Sequence, residues 1–472
     1  MAEPLWTIGE IAGATGGGCG GAGDAPVSGF SIDSRSLSPN EGFIAIRGDN
    51  RDGHAFVPAA LEAGAACAVV ETAFPPGDET RLVRVTDTFA ALNDLGRAGR
   101  ARAKNTKVIA VTGSVGKTGT KEALRLALGA SGSVHASSKS FNNHWGVPLT
   151  LANMPRDVAY GVFEIGMNHP GEIDALTKLV RPHIAIVTTV APVHLGFFGS
   201  VEEIADAKAE IFHGLEPGGT AVLNRDNPHY ERLAAHARKH GAEIVSFGEE
   251  EGANARLVAC ELGPDGSAVT ADILGETVTY RLRVPGRHVV QNSLAVLAAV
   301  KLAGAGLAEA AEALGAVQAQ AGRGQRLVIE TKAGPVAIVD ESYNANPASM
   351  RAALSTLGLA PRSAYKRRVA VLGDMLELGE EGPKLHRELA EAVDGAGVDV
   401  VFACGKLMSS LFQALPPGRQ GGYAATSEEL APALLEGVRP GDIVMVKGSL
   451  GSRMAPLVEA LRRRFESESM SA

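Results

Sequence analysis

Residues 112–118, with the sequence TGSVGKT, include residue types that bind phosphate groups. A glycine such as Gly116 lets the backbone approach an oxygen closely, Lys117 can neutralise negative charge, and the Thr118 hydroxyl can ligate Mg²⁺. An apolar run precedes the segment and a helical run follows it, so a helix amino terminus would face the same ligand. We therefore favour a nucleotide site over an ordinary glycine turn.

Glu164 and His194 follow two further apolar runs that predict strands. The carboxyl ends of parallel strands meet at the edge where α/β sheets bind ligands. A carboxylate at that edge can ligate Mg²⁺, and a neutral imidazole can ligate a second cation. Residue type and position alone leave open a solvated Glu and an ordinary loop His.

Lys208 falls within a helical run over residues 201–212. From its spacing alone, a solvated surface lysine is the better interpretation, because lysine is rarely buried without a partner.

A parallel sheet is needed to bring these side chains together. From residue 107 onward, continuous β-branched runs alternate with helical runs, which indicates strands covered on both faces in a doubly wound sheet. A helix over residues 87–102 is predicted to lead into this domain. Short alternating runs over residues 256–284 predict a small antiparallel insert.

The whole chain is predicted to have α/β class and three domains. Residues 1–85 form a small α/β domain with a helical run at 55–63 and a glycine-rich loop at 16–23, residues 86–322 the central domain, and residues 323–472 a Rossmann-like domain. The last domain has no G-x-G-x-x-G segment after its first strand, so we predict no nicotinamide site there.

The composition agrees with several globular domains, since 472 residues suggest about three domains. The net charge of −8 provides no basic field for nucleic acid, which we exclude as a main partner. The cysteines are widely spaced and the chain has neither a signal-peptide pattern nor a long apolar stretch, so we expect a cytoplasmic protein with no integral membrane association.

Six segments resemble, in order, motifs of the Mur ligase family, whose members are ATP-dependent amide ligases of peptidoglycan synthesis. They are residues 112–118, 163–169, 194–199, 208–212, 286–292 and 340–347. The amino-terminal Asp33-Ser-Arg35 is similar to the uridine-binding domain of the members that add the third residue and the final dipeptide. The resemblance spans all three predicted domains.

The resemblance implies catalytic roles for Lys117, Glu164, His194 and Lys208. Thr118 and Glu164 would hold one Mg²⁺, and His194 with Glu164 a second, while Lys208 would carry a carbamate. The residues implied to hold ATP are Gly113, Ser114, Val115, Gly116, Lys117, Thr118, Asn292, Arg326 and Asp340, with Asn292 at the adenine and the last two arriving from the third domain on closure.

On the substrate side, the resemblance implies that Ser34 and Arg35 lie near the uridine and that Asn142 and Asn143 lie near the peptide. Residues 373–379, with the sequence GDMLELG, favour the dipeptide-adding branch, whose substrates are UDP-N-acetylmuramoyl-tripeptide and D-alanyl-D-alanine. A monomer is expected.

Three alternatives stay open. Two keep the ligase chemistry, as an amino-acid-adding member or a folate-polyglutamate type of ligase, and the third is a nucleotide-gated binding module without catalysis.

Overall fold

The computed structural model describes residues 4–21, 23–48, 50–138, 140–193 and 195–470. Its strands form three separate α/β units along the chain, so the predicted class and the three-domain organisation are confirmed. The domain limits at 85/86 and 322/323 stay a prediction.

The first domain contains a two-stranded ribbon and a five-stranded sheet. Its strands are β1 (Trp6–Thr7), β2 (Gly18–Cys19), β3 (Pro26–Val27), β4 (Phe30–Ser31), β5 (Gly42–Ile44), β6 (Cys67–Glu71) and β7 (Leu82–Val85), and its helices are α1 (Ile8–Thr15) and α2 (Val57–Glu62). β1 pairs with β3, and the sheet has the order β2-β7-β6-β5-β4, parallel except at β2.

The prediction of a loop over residues 16–23 is wrong at Gly18 and Cys19, which form β2 on the sheet edge. The reason is close approach: a Cβ atom at Gly17 would lie 2.8 Å from the carbonyl oxygen of Arg84 in β7. Glycine therefore lets this segment pair with β7. The hydrogen bonds between the two strands offset the backbone entropy that is lost when the glycines become ordered. Residue 22 lies outside the described residues.

Helix α3 (Thr88–Arg102) leads into the second domain, as predicted, and begins where the Asp87 side chain accepts hydrogen bonds from the backbone N–H groups of Phe89 and Ala90. It packs closely on α5 (Gly146–Ala152), because a Cβ atom at Gly96 would already lie 3.0 Å from the Pro148 backbone. The helix thus joins the first two domains.

Side-chain hydrogen bonds reinforce this joint. The Trp6 indole N–H donates to the Ala152 carbonyl at 2.8 Å, and the Asn153 amide bonds both backbone groups of Phe30 at 2.7 and 3.0 Å. Arg102 donates to the carbonyls of Leu5 at 2.7 Å and Met154 at 2.9 Å. The first domain is therefore held on the second by hydrogen bonds as well as by apolar packing.

The second domain is built on a nine-stranded sheet with the order β16-β15-β14-β13-β12-β11-β8-β10-β9. Its strands are β8 (Lys107–Thr112), β9 (Val134–Ala136), β10 (Tyr160–Glu164), β11 (Ile184–Val187), β12 (Thr220–Asn224), β13 (Glu243–Gly248), β14 (Ala255–Gly263), β15 (Gly266–Ile273) and β16 (Glu276–Leu282). Besides α5, its helices are α4 (Lys117–Gly129), α6 (Glu172–Val180), α7 (Val201–Ala209), α8 (Tyr230–Lys239), α9 (Arg287–Leu302) and α10 (Leu307–Ala313).

Helices cover both faces of this sheet, as the continuous apolar runs predict. Residues 108–111 are fully buried, with Ile109 and Val111 packed under α4, α9 and α10, and Val108 and Ala110 under α5 to α8. Strands β8 to β14 all pair in parallel with their neighbours, except that β14 pairs antiparallel with β15, and β14 to β16 are antiparallel as predicted. These last strands are no separate insert, because β14 pairs with β13 and extends the same sheet.

The third domain has a six-stranded sheet with the order β17-β18-β22-β19-β20-β21, antiparallel only between β17 and β18. Its strands are β17 (Gln325–Thr331), β18 (Gly334–Glu341), β19 (Arg367–Gly373), β20 (Val400–Cys404), β21 (Gln420–Ala424) and β22 (Asp442–Lys447). Its helices are α11 (Pro347–Gly358), α12 (Gly382–Arg387), α13 (Leu389–Gly395), α14 (Ser409–Ala414), α15 (Ser427–Gly437) and α16 (Ala455–Met470). No described helix of the chain has the length and apolar character needed to cross a membrane.

A buried ion pair at the edge of β22 yields a stability prediction. The Asp442 carboxylate, 2% exposed, accepts two hydrogen bonds from Arg367 at 2.9 and 2.6 Å. Asp442→Ala leaves that guanidinium partly buried and unpaired, so we expect a loss of about 3 kcal/mol in the unfolding free energy of the third domain. Calorimetric unfolding would measure it. The exposed Asp394, paired with Arg419, is the control, and Asp394→Ala should cost under about 0.5 kcal/mol; equal losses would contradict the prediction.

Candidate active site

The predicted phosphate-binding segment forms a tight loop between β8 and α4. Gly113 and Gly116 have φ values of 146° and 88°, and Gly116 directly precedes the first turn of α4. Residues other than glycine rarely adopt these φ angles. The free N–H groups of the first turn and the helix dipole both favour an anion at this loop.

The rest of the loop is fixed by the segment after β11. The Ser114 hydroxyl donates to the Ala191 carbonyl at 3.1 Å, and the Thr188 hydroxyl donates to the Val115 carbonyl at 2.6 Å. The Ser114 backbone N–H also donates to the Thr189 carbonyl at 2.8 Å. Ser114 therefore shapes the loop, and its nucleotide contact stays a prediction.

Lys117 folds back over the loop, where its Nζ donates to the Gly113 carbonyl at 2.7 Å. Burial lowers the pKa of Lys117, the negative charge of Glu164 opposes this, and the positive charge of Arg323 adds to it. The electrostatic surroundings of Lys117 therefore include both Glu164 and an arginine from the segment before β17.

Glu164 ends β10 and is 1% exposed. Its Oε1 accepts a hydrogen bond from the Asn142 amide at 2.7 Å, while its Oε2 is buried and has no hydrogen-bond partner among the described residues. An unpaired buried carboxylate oxygen is costly unless a cation or donor binds it. Glu164 therefore fits the predicted role of a Mg²⁺ ligand.

The other predicted metal ligands differ in how far the structure describes them. Thr118 is 2% exposed in the first turn of α4, and His194 lies outside the described residues. Within the described ranges, no group of three His, Cys, Asp or Glu side chains could hold a metal. Mg²⁺ binds through one or two carboxylates plus substrate phosphates, so such a cluster is not needed.

Lys208 lies on α7 and is 2% exposed, which contradicts the surface-lysine interpretation. No ion pair joins Lys208 to any residue that the structure describes. Burial and the charge of Lys117 lower the pKa of Lys208 well below its ordinary value. The neutral amine is thereby favoured, and that is the form that reacts with CO₂.

A cavity of about 1440 Å³ lies between the second and third domains and extends along α3. It is large enough for more than one substrate, since typical ligand pockets measure about 300–1000 Å³. The predicted site residues that line it are Ser114, Val115, Gly116, Lys117, Thr118, Asn142, Asn143, Glu164 and Asn292. Those outside the lining are Gly113, Lys208, Arg326, Asp340, Ser34 and Arg35.

The asparagines of the lining have distinct surroundings. Asn292 of α9 faces the phosphate loop, because a Cβ atom at Gly116 would lie 2.5 Å from its Nδ2. Asn142 holds Glu164, as described above. The Asn143 Oδ1 accepts hydrogen bonds from the N–H groups of Trp145 and Gly146 at 3.2 and 2.9 Å, so this side chain also supports the start of α5.

Arg326 and Asp340 of the third domain do not line the cavity, although Asp340 binds the backbone of Gly322, which does. Arg326 donates to Asp265 at 2.6 Å and to the Tyr365 hydroxyl at 2.7 Å. Asp340 accepts hydrogen bonds from the Gly322 N–H at 2.8 Å and from Ser342. Their nucleotide contacts on domain closure stay a prediction.

Ser34 and Arg35 lie on the first domain, apart from the other predicted residues. Arg35 is exposed and donates two hydrogen bonds to Asp33, at 2.8 and 2.7 Å. Their uridine contact stays a prediction.

Sequence reasoning missed several residues of the cavity lining: Arg323, Tyr343, His288, Glu341 and Lys447. Lys447 is buried and donates to Glu341 at 2.9 Å. The available signal was an arginine between two glycines, in the sequence GRG at residues 322–324, which we interpreted only as a domain boundary.

Comparison with known proteins gives three family matches in succession along the chain. Residues 26–110 match "Mur ligase family, catalytic domain", residues 111–300 "Mur ligase middle domain" and residues 322–450 "Mur ligase, glutamate ligase domain". The UDP-N-acetylmuramoyl-tripeptide–D-alanyl-D-alanine ligase of Rickettsia prowazekii is 32% identical over 429 residues, which cover 91% of this chain and 94% of that protein.

Two solved structures are similar over nearly the whole chain. A crystal structure of MurF from Acinetobacter baumannii has a TM-score of 0.85 at 30% identity and covers 98% of this chain and 99% of that one. The MurF ligase of Thermotoga maritima, in complex with ADP, has a TM-score of 0.78 at 27% identity and covers 93% and 98%.

Proposed function

Because this chain belongs to the Mur ligase family, we propose that it is an ATP-dependent ligase that joins D-alanyl-D-alanine to UDP-N-acetylmuramoyl-tripeptide. The supporting observation is Glu164, whose unpaired buried Oε2 lies in the same cavity as Lys117 and the phosphate loop. A carboxylate held ready for a cation beside a phosphate-binding lysine suits phosphoryl transfer.

The chemistry follows from the weakness of a carboxylate as an electrophile. Phosphoryl transfer from ATP replaces this poor acceptor with an acyl phosphate, and the dipeptide amine then attacks the carbonyl and expels phosphate. Lys117 and the N–H groups of α4 would hold the phosphates, and Asn142 would orient Glu164. Closure of the domains around the cavity would exclude water, which could otherwise hydrolyse the acyl phosphate.

We propose that Glu164, Thr118 and His194 hold Mg²⁺, which when bound screens the converging negative charges. Lys208 would carry a carbamate, since its buried amine is drawn toward the neutral form and faces the charge of Lys117. A carbamate converts this position from a cation into an acceptor of hydrogen bonds.

ADP release measures the proposed activity. With UDP-N-acetylmuramoyl-tripeptide, ATP and Mg²⁺, we expect release that depends on D-alanyl-D-alanine, with the joined pentapeptide detected by mass spectrometry. Turnover with a UDP-linked dipeptide plus a single amino acid, or with a folate, would assign the chain to one of those ligase types. Nucleotide binding without any ADP release would support a binding module.

We also predict that Ser34→Ala with Arg35→Ala raises the KM for the UDP-linked substrate more than it lowers kcat. Uridine would bind far from the reacting carboxylate, so the loss should be one of uniform binding. Initial rates at varied concentrations of the UDP-linked substrate would give both constants. The same constants for Arg97→Ala, a change at a residue that lines the cavity, provide the comparison. An unchanged KM in a folded variant would show that Ser34 and Arg35 take no part in substrate recognition.

We propose further that the protein works in the cytoplasm as a monomer. Its described cysteines, Cys19, Cys67, Cys260 and Cys404, are free thiols, which suits a reducing compartment. Cell fractionation and light scattering would test the two statements.

A further inference from the structure

Lys121, in the second turn of α4, is a lysine with no exposed surface. Its Nζ donates to the Ser137 carbonyl at 2.8 Å and lies 2.6 Å from the Glu122 Oε1. Lysine is almost never fully buried unless it is paired, because the ammonium loses its hydration. A methionine would fill a similar space without this cost, so the position indicates a need for a donor at the Ser137 carbonyl.

Ser137 connects Lys121 to Glu164. It directly follows β9, at the edge of the central sheet, and is 2% exposed. Its N–H donates to the Val162 carbonyl at 3.2 Å, and its Oγ accepts a hydrogen bond from the Glu164 N–H at 3.4 Å. Both partners belong to β10, which ends at Glu164. Lys121 therefore holds the residue that contacts the backbone of Glu164.

Asn142, further along the same connection, supports Glu164 at a second point. Its amide donates to the Glu164 Oε1 at 2.7 Å, and its carbonyl accepts a hydrogen bond from the Gly166 N–H at 2.8 Å. Ser137 and Asn142 together hold the backbone and the carboxylate of Glu164. A shift of Ser137 would therefore move the carboxylate whose Oε2 has no hydrogen-bond partner among the described residues.

The position of Lys121 on α4 gives this connection its direction. Lys121 lies about one turn after Lys117 and Thr118, the residues predicted to hold phosphate and Mg²⁺. It does not line the cavity, whereas Thr118 and Glu164 do. A rigid helix thus carries one predicted metal ligand and, one turn on, the donor that fixes the strand of the other.

We propose that Lys121 is a positioning residue for Mg²⁺ binding. Its bond to the Ser137 carbonyl fixes the Glu164 carboxylate relative to Thr118, so that both can hold one cation. Lys121 acts through Glu164 and not on the nucleotide. The inference rests on the proposed ligase function, in which Glu164 and Thr118 share a Mg²⁺.

Lys301 of α9 is a matched control within the same domain. Its Nζ donates to the carbonyls of Ile273 and Leu274 at 3.0 and 3.3 Å and pairs with Glu276 at 3.0 Å. These partners lie at β15 and β16, toward the opposite edge of the sheet from β9. Lys301 thus has the same kinds of partner as Lys121 but no connection to Glu164.

Calorimetry with ADP, in Mg²⁺ and in EDTA, tests the role of Lys121 by binding. Lys121→Met should bind ADP in EDTA as the wild type does, while the gain in ADP affinity that Mg²⁺ brings should fall about tenfold, as when groups that orient metal ligands are lost. Lys301→Met should keep the whole gain. Both variants should unfold about 2–4 °C below the wild type, because each leaves a carbonyl without its donor.

Steady-state rates provide a second measurement on the same variants. In Lys121→Met, the Mg²⁺ concentration for half-maximal ADP release should rise about tenfold. The KM for the UDP-linked substrate should change less than about twofold, because that substrate binds independently of the Lys121 side chain.

Two further variants follow the connection from Lys121 to Glu164. In a Glu164→Gln background, Lys121→Met should change the Mg²⁺-dependent gain less than about twofold, because the ligand that it positions is already lost. Ser137→Ala removes only the acceptor of the Glu164 N–H and should lower the gain about threefold, the value of a weak hydrogen bond.

The outcomes distinguish the two proposals. A wild-type protein that releases no ADP with the tripeptide and dipeptide would overturn the proposed function. An active wild type whose Lys121→Met variant keeps the full Mg²⁺-dependent gain would overturn the role of Lys121, as would an equal loss in Lys301→Met or in the Glu164→Gln background. If Lys121→Met does not fold, an undiminished gain in Ser137→Ala overturns that role.

Discussion

Lys117→Ala is expected to lower ATP-dependent ligation about 10⁴-fold while leaving the fold intact. The side chain lies over the phosphate loop, bonded to the Gly113 carbonyl, and contributes no core packing. Removing it leaves the converging negative charges without their nearest cation, and positioned cations in phosphoryl transfer account for about 10³–10⁵ in rate. Steady-state ADP release would measure the loss, and circular dichroism would report the fold.

The exposed Lys384, which pairs with Glu381 on the protein surface, provides the control, because Lys384→Ala removes the same charge far from the cavity. It should keep the wild-type rate. Turnover of Lys117→Ala above a tenth of wild type, about 1.4 kcal/mol in barrier, would exclude the phosphate-loop assignment.

Lys208→Ala is expected to lower the ligase activity about 10³-fold without unfolding the protein. If Lys208 carries a carbamate, alanine deletes an acceptor beside the proposed cations and leaves a space of similar size. Short-chain carboxylates should enter this space and restore part of the rate. Lys208→Arg, which keeps the positive charge, should stay inactive and should not respond to added carboxylates.

The carbamate itself can be detected with ¹³C-labelled CO₂, as a nuclear magnetic resonance signal that Lys208→Ala lacks. The lowered pKa of Lys208 favours this reaction near neutral pH, since more of the amine is unprotonated than in an ordinary lysine. An active Arg variant, or the absence of the labelled signal in an active enzyme, would argue against the modification.

Local patterns were enough to predict the phosphate loop and its sheet. β8, the loop and α4 follow one another directly in the chain, so their signals lie within a short stretch of sequence. The burial of Lys208 could not be derived in this way, because it depends on where α7 packs against the sheet. Resemblance to a family supplied that information.

The orientation of the Arg323 side chain shows more clearly what local sequence patterns cannot predict. Its orientation depends on Asp340, Tyr343 and Ser140, which are distant from it along the chain and meet only in the folded protein. The sequence shows two glycines and an arginine, which predict a turn but not the direction of the side chain. The same limit applies to β14, whose place in the central sheet is decided by its pairing with β13.

The tight joint between the first two domains would fix the length of substrate that can reach from the first domain to the phosphate loop. Trp6, Arg102 and Asn153 hold the first domain at one separation from the phosphate loop, and α3 packs on α5 with no room for a side chain at Gly96. Each residue of an extended peptide spans about 3.3–3.6 Å, more than the length of a hydrogen bond. A peptide anchored by its nucleotide on the first domain and one residue too short would therefore end out of reach of Lys117, so the enzyme would count residues by distance rather than by recognising each side chain.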